Sequence, residues 1–159
     1  QESLVGARSG TSGRATLPGQ TRCRTVGLVV GRSDVVALYA SALLSATLHF
    51  KFFVLESLIW GSPTANRIFK LKAEVANSET VRTFAFNMGF YNLFLSLGTL
   101  WALFLHHNSR PEGVTLLTFC AASMVAAGLV LLLSGGRRRL LAALVQSGPP
   151  ALCLLLLWA

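Results

Sequence analysis

Two ionisable side chains lie inside an apolar run and are the first residues here that could do chemistry. His49 and Glu56 fall within residues 35–60, where most neighbours are apolar. At about 100° per residue, one face of a helix over this run holds the polar residues Ser41, Ser45, His49 and Glu56. An ionisable group inside a bilayer costs several kcal/mol unless it is neutral, paired or hydrated. This face should therefore contact other helices rather than lipid.

Two interpretations of this polar face stay open. In the first, the residues serve only packing, with their hydrogen bonds satisfied inside the bundle. In the second, they line a functional pocket. His49 and Glu56 are about 10 Å apart along a helix axis and cannot bond directly, so a water, a ligand or another helix must join them. Asn side chains both donate and accept hydrogen bonds and are natural partners. The pocket candidates are His49, Glu56, Trp60, Asn87, Tyr91, Asn92 and Gln146.

The composition of the chain indicates the class of protein in which these residues occur. Hydrophobic residues make up 53% of the chain and charged residues 13%, and the mean hydropathy is +0.59. A soluble chain has roughly a quarter charged residues. A soluble domain of 159 residues cannot bury so much apolar surface in one core. A membrane protein is therefore expected, with the lipid bilayer as its main partner.

Four apolar segments are long enough to cross a membrane as helices. They cover residues 35–60, 80–105, 114–133 and 140–158, and each approaches the roughly 20 residues that a ~30 Å hydrocarbon core requires. These segments are too few and too long for barrel strands. The predicted fold class is an all-α membrane protein, a four-transmembrane-helix bundle.

The basic residues predict an orientation. The connection over residues 61–79 contains Arg67, Lys70 and Lys72, and the one before the fourth segment contains three successive arginines, whereas the middle connection has only Arg110. The positive-inside rule places the two basic connections in the cytoplasm and both termini outside. The expected location is the bacterial cytoplasmic membrane.

Residues 1–34 differ from the rest of the chain. They are rich in Gly, Ser, Thr and Arg, show no helical or strand period, and hold five of the fourteen basic residues. We expect either a poorly structured basic tail or sequence upstream of a translation start near Val35 or Val36. The net charge of +8 forms no basic stripe on a foldable face, so nucleic-acid binding is not expected. The cysteines Cys23, Cys120 and Cys153 have no metal-site spacing, and no metal or cofactor is predicted.

Several residues form a pattern that extends over residues 36–158. They are His49, Glu56 and Trp60, then Phe69, Asn87-x-Gly89-x-Tyr91-Asn92-x-x-Leu95, Ala127-Gly128, and Val145-Gln146, Gly148-Pro149 and Ala151. This pattern resembles a family of small bacterial membrane proteins catalogued as domain of unknown function 1304. The resemblance implies a four-helix membrane bundle and no established activity. Met88 stands where the family usually has Gln, which removes one hydrogen-bonding group.

Three functions remain open, because the sequence contains no recognised catalytic motif. The first is binding or movement of a small apolar or amphipathic ligand, or a proton, through the polar pocket. The second is a non-catalytic subunit of a membrane complex, either a homo-oligomer or an assembly with a membrane partner. The third is an intramembrane lipid-modifying enzyme, such as an isomerase that uses His49 or Glu56 as its proton carrier. A non-enzymatic role is favoured.

Overall fold

A computed structural model describes residues 31–159, and Cys23 and most of the predicted tail lie outside this range. Every element within it is helical. In chain order these are α1 (Arg32–Phe53), a π-helical turn (Val54–Leu58), α2 (Pro63–Phe69), α3 (Ala73–Ala76), α4 (Glu79–His107), α5 (Pro111–Gly135), a 3₁₀ turn (Gly136–Arg139) and α6 (Leu140–Trp158).

Helix α1 begins at Arg32, three residues before the predicted start. The carboxylate of Asp34 accepts a hydrogen bond from the backbone N–H of Gly31 at 3.0 Å. Asp34 also lies in the first turn, where a negative charge stabilises the positive end of the helix dipole. This local capping extends the helix into a region whose lack of apolar periodicity predicts none.

Three helical stretches are long and apolar enough to cross a membrane. They are Arg32–Leu58 with 27 residues, Glu79–His107 with 29 and Pro111–Trp158 with 48. The elements within residues 31–159 are therefore all helical, and three of these stretches have the length and apolarity of membrane-protein helices. The third stretch combines the third and fourth predicted segments, because the 3₁₀ turn joins α5 to α6 without a helical gap.

The third stretch folds back on itself at Gly136. This residue has φ +60°, which a glycine adopts without a Cβ penalty. The indole Nε1 of Trp158 donates to Thr118 Oγ1 at 3.3 Å, and Ser147 Oγ donates to the carbonyl of Val125. The end of α6 therefore lies beside the first half of α5, and the first half of α6 lies beside the middle of α5, so the two helices are antiparallel neighbours.

The interior combines many small side chains with a few large ones such as Leu117 and Met124, while many other large apolar side chains face outward. Helix α1 packs against α4 and α6, and α5 packs against the same two helices. Large residues point outward, including Leu133, which is 84% exposed, and Phe119, which is 67% exposed. Small interior residues let membrane helices approach closely, while lipid covers the large outer ones. The buried residues include Ala42, Ala46, Ala102, Ala121, Ala143, Ser41, Ser45, Ser96, Thr99, Cys120 and Cys153.

Substitution of Gly113 tests the closest helix-to-helix approach. A Cβ at this position would lie 2.8 Å from the Cα of His106 and would also meet its backbone nitrogen. Because backbone cannot rotate away, we expect Gly113→Ala to lower the free energy of unfolding by roughly 1–3 kcal/mol. Thr115→Ala, on the exposed side of α5, is the matched control. Equal thermal stability of the two variants in detergent would contradict this packing.

Candidate functional site

Glu56 lies in a widened helical turn at the end of α1. The backbone N–H of Ile59 donates to the carbonyl of Val54, five residues back, at 3.0 Å. Such π-turns are rare and occur frequently at functional sites. The carboxylate oxygen Oε2 of Glu56 accepts a hydrogen bond from Asn92 Nδ2 on α4 at 2.8 Å. Of the two asparagines proposed as partners from the sequence, Asn92 is therefore the one that holds Glu56.

Gly89 allows α4 to lie against this turn. A Cβ on Gly89 would meet the hydroxyl of Ser57 and lie 3.1 Å from the Cβ of Glu56. Ser57 Oγ donates to the carbonyl of Phe86 at 2.9 Å, which fixes the turn against α4. The glycine therefore sets the close approach that brings Asn92 within hydrogen-bond distance of Glu56.

A cleft of about 480 Å³ opens beside Glu56. It lies between the π-turn and the first two turns of α4, and it is partly open to the outside. Its lining combines three charged side chains with polar and aromatic ones. The lining residues are Glu56, Ser57, Leu58, Trp60, Asn77, Glu79, Arg82, Thr83 and Phe86.

Trp60 fixes the connecting segment against the cleft. Its indole Nε1 donates to the carbonyl of Ala76 at 2.9 Å, and its ring packs on Phe69 with centroids 5.4 Å apart. Residues 61–79, expected to be a loop, contain the short helices α2 and α3. Ser62 accepts from the backbone N–H of Ala65 and so caps α2, which Pro63 begins. The segment is thus a structured wall of the cleft.

The charges in the cleft do not neutralise each other by direct contact. Within residues 31–159 the one ion pair shorter than 4 Å joins Arg110 to Glu112, in and just after the turn between α4 and α5. Glu56, Glu79 and Arg82 line the cleft without such a pair among the described residues. Two carboxylates and one guanidinium are therefore free to contact a ligand with charged groups.

His49 occupies a different environment, inside the bundle. It is 0% exposed, and its Nδ1 donates to the carbonyl of Ser45 at 3.0 Å. Since a carbonyl can only accept, Nδ1 bears the proton and Nε2 of a neutral ring is an acceptor. Within the described part of the chain, Nε2 has no hydrogen-bond partner. The structure does not bring His49 to the cleft that Glu56 lines.

The other sequence candidates are dispersed. Asn87 and Tyr91 lie on the exposed side of α4, with Tyr91 63% exposed, and Gln146 is half-buried on α6. None of the three lines the Glu56 cleft. Glu79 and Arg82 were not among the candidates, because a charged pair at the start of a segment suggests helix capping and topology. One signal in the sequence could have identified them. They are three residues apart, and this spacing places both side chains on one side of a helix.

Comparison with protein families matches most of the chain to one family. Residues 43–158 match the model described as "Protein of unknown function (DUF1304)". The chain belongs to the DUF1304 family. No curated protein and no solved structure matches it. The DUF1304 match includes α1 from its fourth turn onward, the cleft and α6, so the whole candidate site lies within the family region.

The hydrogen bond between Asn92 and Glu56 can be tested by substitution. Removing the amide leaves a half-buried carboxylate oxygen without its donor, and bonds to charged groups contribute roughly 1.5–3 kcal/mol. We expect Asn92→Ala to lower the free energy of unfolding by about 1–2 kcal/mol. Asn87→Ala, on the exposed side of the same helix, is the control. Additive effects of Asn92→Ala and Glu56→Gln in a double-mutant cycle would show that the two side chains are not coupled.

The unpartnered nitrogen of His49 predicts an unusual stability change. A buried acceptor without a donor costs about 1–3 kcal/mol, and an apolar side chain of similar size has no such cost. We expect His49→Leu to raise the free energy of unfolding by about 1 kcal/mol. Thermal unfolding in detergent measures the change, with Leu48→Met on the same helix as a control for repacking. A clear loss of stability would mean that Nε2 has a partner in the membrane.

Proposed function

We propose that the chain crosses a bacterial cytoplasmic membrane four times. The third stretch would be about 72 Å long if straight, more than twice a ~30 Å hydrocarbon core. Its reversal at Gly136 supports one crossing by α5 and a second by α6. The basic residues of the connection before α4 and of the 3₁₀ turn support a cytoplasmic location for that end of the bundle, with both termini outside.

We further propose that the protein binds an amphipathic molecule in the Glu56 cleft. One observation carries this proposal. The half-buried carboxylate of Glu56, which accepts a hydrogen bond from Asn92 at 2.8 Å, lines an open cleft of about 480 Å³. A structural carboxylate in a membrane helix is normally enclosed and paired. Glu56 instead faces a volume that can hold a polar group.

The depth of the cleft supports a ligand that is part polar and part apolar. Ser45 is the midpoint of the first stretch, Arg32–Leu58. Glu56 lies eleven residues further, about 16 Å along the axis. Half of a ~30 Å hydrocarbon core is roughly 15 Å. This spacing supports a position of the carboxylate at the boundary between acyl chains and headgroups, where an amphipathic molecule has its polar end.

An aromatic ridge leads from the cleft towards the bilayer centre. Phe86 lines the cleft, Phe90 packs on it with ring centroids 4.9 Å apart, and Phe94 follows at 6.2 Å. Phe86 and Phe94 are 51% and 59% exposed. Residues four apart share one helix face, so the three rings form a continuous apolar track. An acyl or alkyl chain can lie along this track while its polar end occupies the cleft.

Trp60 provides a local reporter of binding. Trp101→Phe together with Trp158→Phe leaves Trp60 as the single tryptophan of the chain. In detergent, an equal mixture of brominated-chain phosphatidylethanolamine and phosphatidylglycerol should quench its fluorescence saturably. Glu56→Gln in this background should raise the concentration for half quenching about tenfold, the effect of losing one charge-assisted bond.

Glu112→Gln is the matched control, because Glu112 lies at the opposite end of the bundle and pairs with Arg110. It should leave the titration unchanged. Quenching that rises linearly with lipid in the unsubstituted background, without saturation, would overturn the binding proposal. Equal titrations for Glu56→Gln and Glu112→Gln would show that the amphiphile binds elsewhere.

A further inference from the structure

The cleft offers charges of both signs to a ligand. Its two carboxylates, on Glu56 and Glu79, outnumber its one guanidinium, on Arg82. Because no ion pair joins these groups within residues 31–159, each can contact a charge on the ligand. A purely anionic headgroup would meet two carboxylates, and a purely cationic one would leave Arg82 without a counter-charge. A headgroup with one cation and one anion matches the set.

The order of these groups along the membrane normal is set by α4. Ser57 bonds the carbonyl of Phe86, so Phe86 lies at the level of the Glu56 turn. Arg82 precedes Phe86 by four residues, about 6 Å nearer the helix start, and Glu79 precedes it by seven, about 10 Å. Along the helix axis, Arg82 therefore lies between Glu79 and the level of the Glu56 turn. An ammonium and a phosphate joined by a short linker can contact a carboxylate and the guanidinium together.

The side chains of the cleft can bind the two charged parts of such a headgroup, the phosphate and the ammonium. The guanidinium presents paired N–H donors that fit phosphate oxygens in a bidentate contact. Glu56 accepts from Asn92 through Oε2 only, so Oε1 is available to an ammonium N–H donor. The indole of Trp60 lines the same cleft and can attract a cation to its face. A primary ammonium can donate a hydrogen bond to the carboxylate and also contact the face of the indole ring.

From this arrangement we propose that the ligand is a phospholipid with an ammonium–phosphate headgroup of the phosphatidylethanolamine type. The proposal rests on the amphiphile-binding function proposed above and specifies its ligand. Arg82 contacts the phosphate, Glu56 accepts from the ammonium, and the chains follow the ridge of Phe86, Phe90 and Phe94. The aromatic ridge favours the lipid over a free phosphoethanolamine, since a free headgroup gains nothing from it.

A competition experiment tests the headgroup. The Trp60-only protein is titrated separately with brominated-chain phosphatidylethanolamine and with brominated-chain phosphatidylglycerol, which has the same phosphate without the ammonium. We expect tighter binding of phosphatidylethanolamine by about tenfold, the effect of one charge-assisted bond. Glu56→Gln should remove most of this preference. Arg82→Gln should weaken both lipids by similar factors, because both contain the phosphate.

The outcomes separate the two proposals. Saturable binding of both lipids with equal affinity overturns the headgroup assignment and leaves amphiphile binding intact. Absence of saturable quenching by either lipid overturns both. Displacement of the lipid by free phosphoethanolamine at the same concentration would show that the chains contribute nothing and would overturn the lipid assignment. Loss of the preference in Glu112→Gln as well as in Glu56→Gln would overturn the role of Glu56 in it.

Discussion

A hydrocarbon environment supplies no hydrogen-bond partner, and this constraint determines how the polar residues of the chain are arranged. Ser41, Ser45 and Thr99 each donate to a carbonyl on their own helix three or four residues back. Ser96 instead donates across to the carbonyl of Ala46 at 2.9 Å and joins α4 to α1. Small polar side chains can satisfy themselves in this way and still allow close helix packing. These buried polar side chains are therefore satisfied inside the bundle without a partner from the surrounding lipid.

His49 and Glu56 belong to the same polar face as Ser41 and Ser45. Hydrogen bonds to carbonyls of their own helix cannot satisfy all of their polar atoms. A histidine ring has two nitrogens, and only Nδ1 reaches a backbone carbonyl. A carboxylate needs donors, which a helix backbone does not offer to its own side chains beyond the first turn. Asn92 supplies one donor, and the widened turn places the carboxylate beside an open cleft. His49 is thus enclosed and Glu56 is accessible, although the sequence places both on the same polar face.

Much of the fold follows from the sequence because lipid imposes simple rules on it. Length and apolarity predict the long helices, and the structure confirms that residues 31–159 contain only helical elements, with apolar stretches long enough to cross a membrane. Helix α5 ends at Gly135, two residues beyond the predicted end of the third segment. The α2 and α3 helices were not predicted, since a seven-residue and a four-residue helix show no sustained period. Their stability comes from the contacts of Trp60, which no local pattern encodes.

The sequence by itself determined the class of protein, the positions of its long helices, its family resemblance and the polar face that includes His49 and Glu56. Only the tertiary structure decided that Glu56 pairs with Asn92, that His49 is enclosed, and that Glu79 and Arg82 share the cleft with Glu56. The physical reason is that helical periodicity specifies a direction around one axis. Which residues meet depends on the rotation and approach of two helices, and here Gly89 and the π-turn set both.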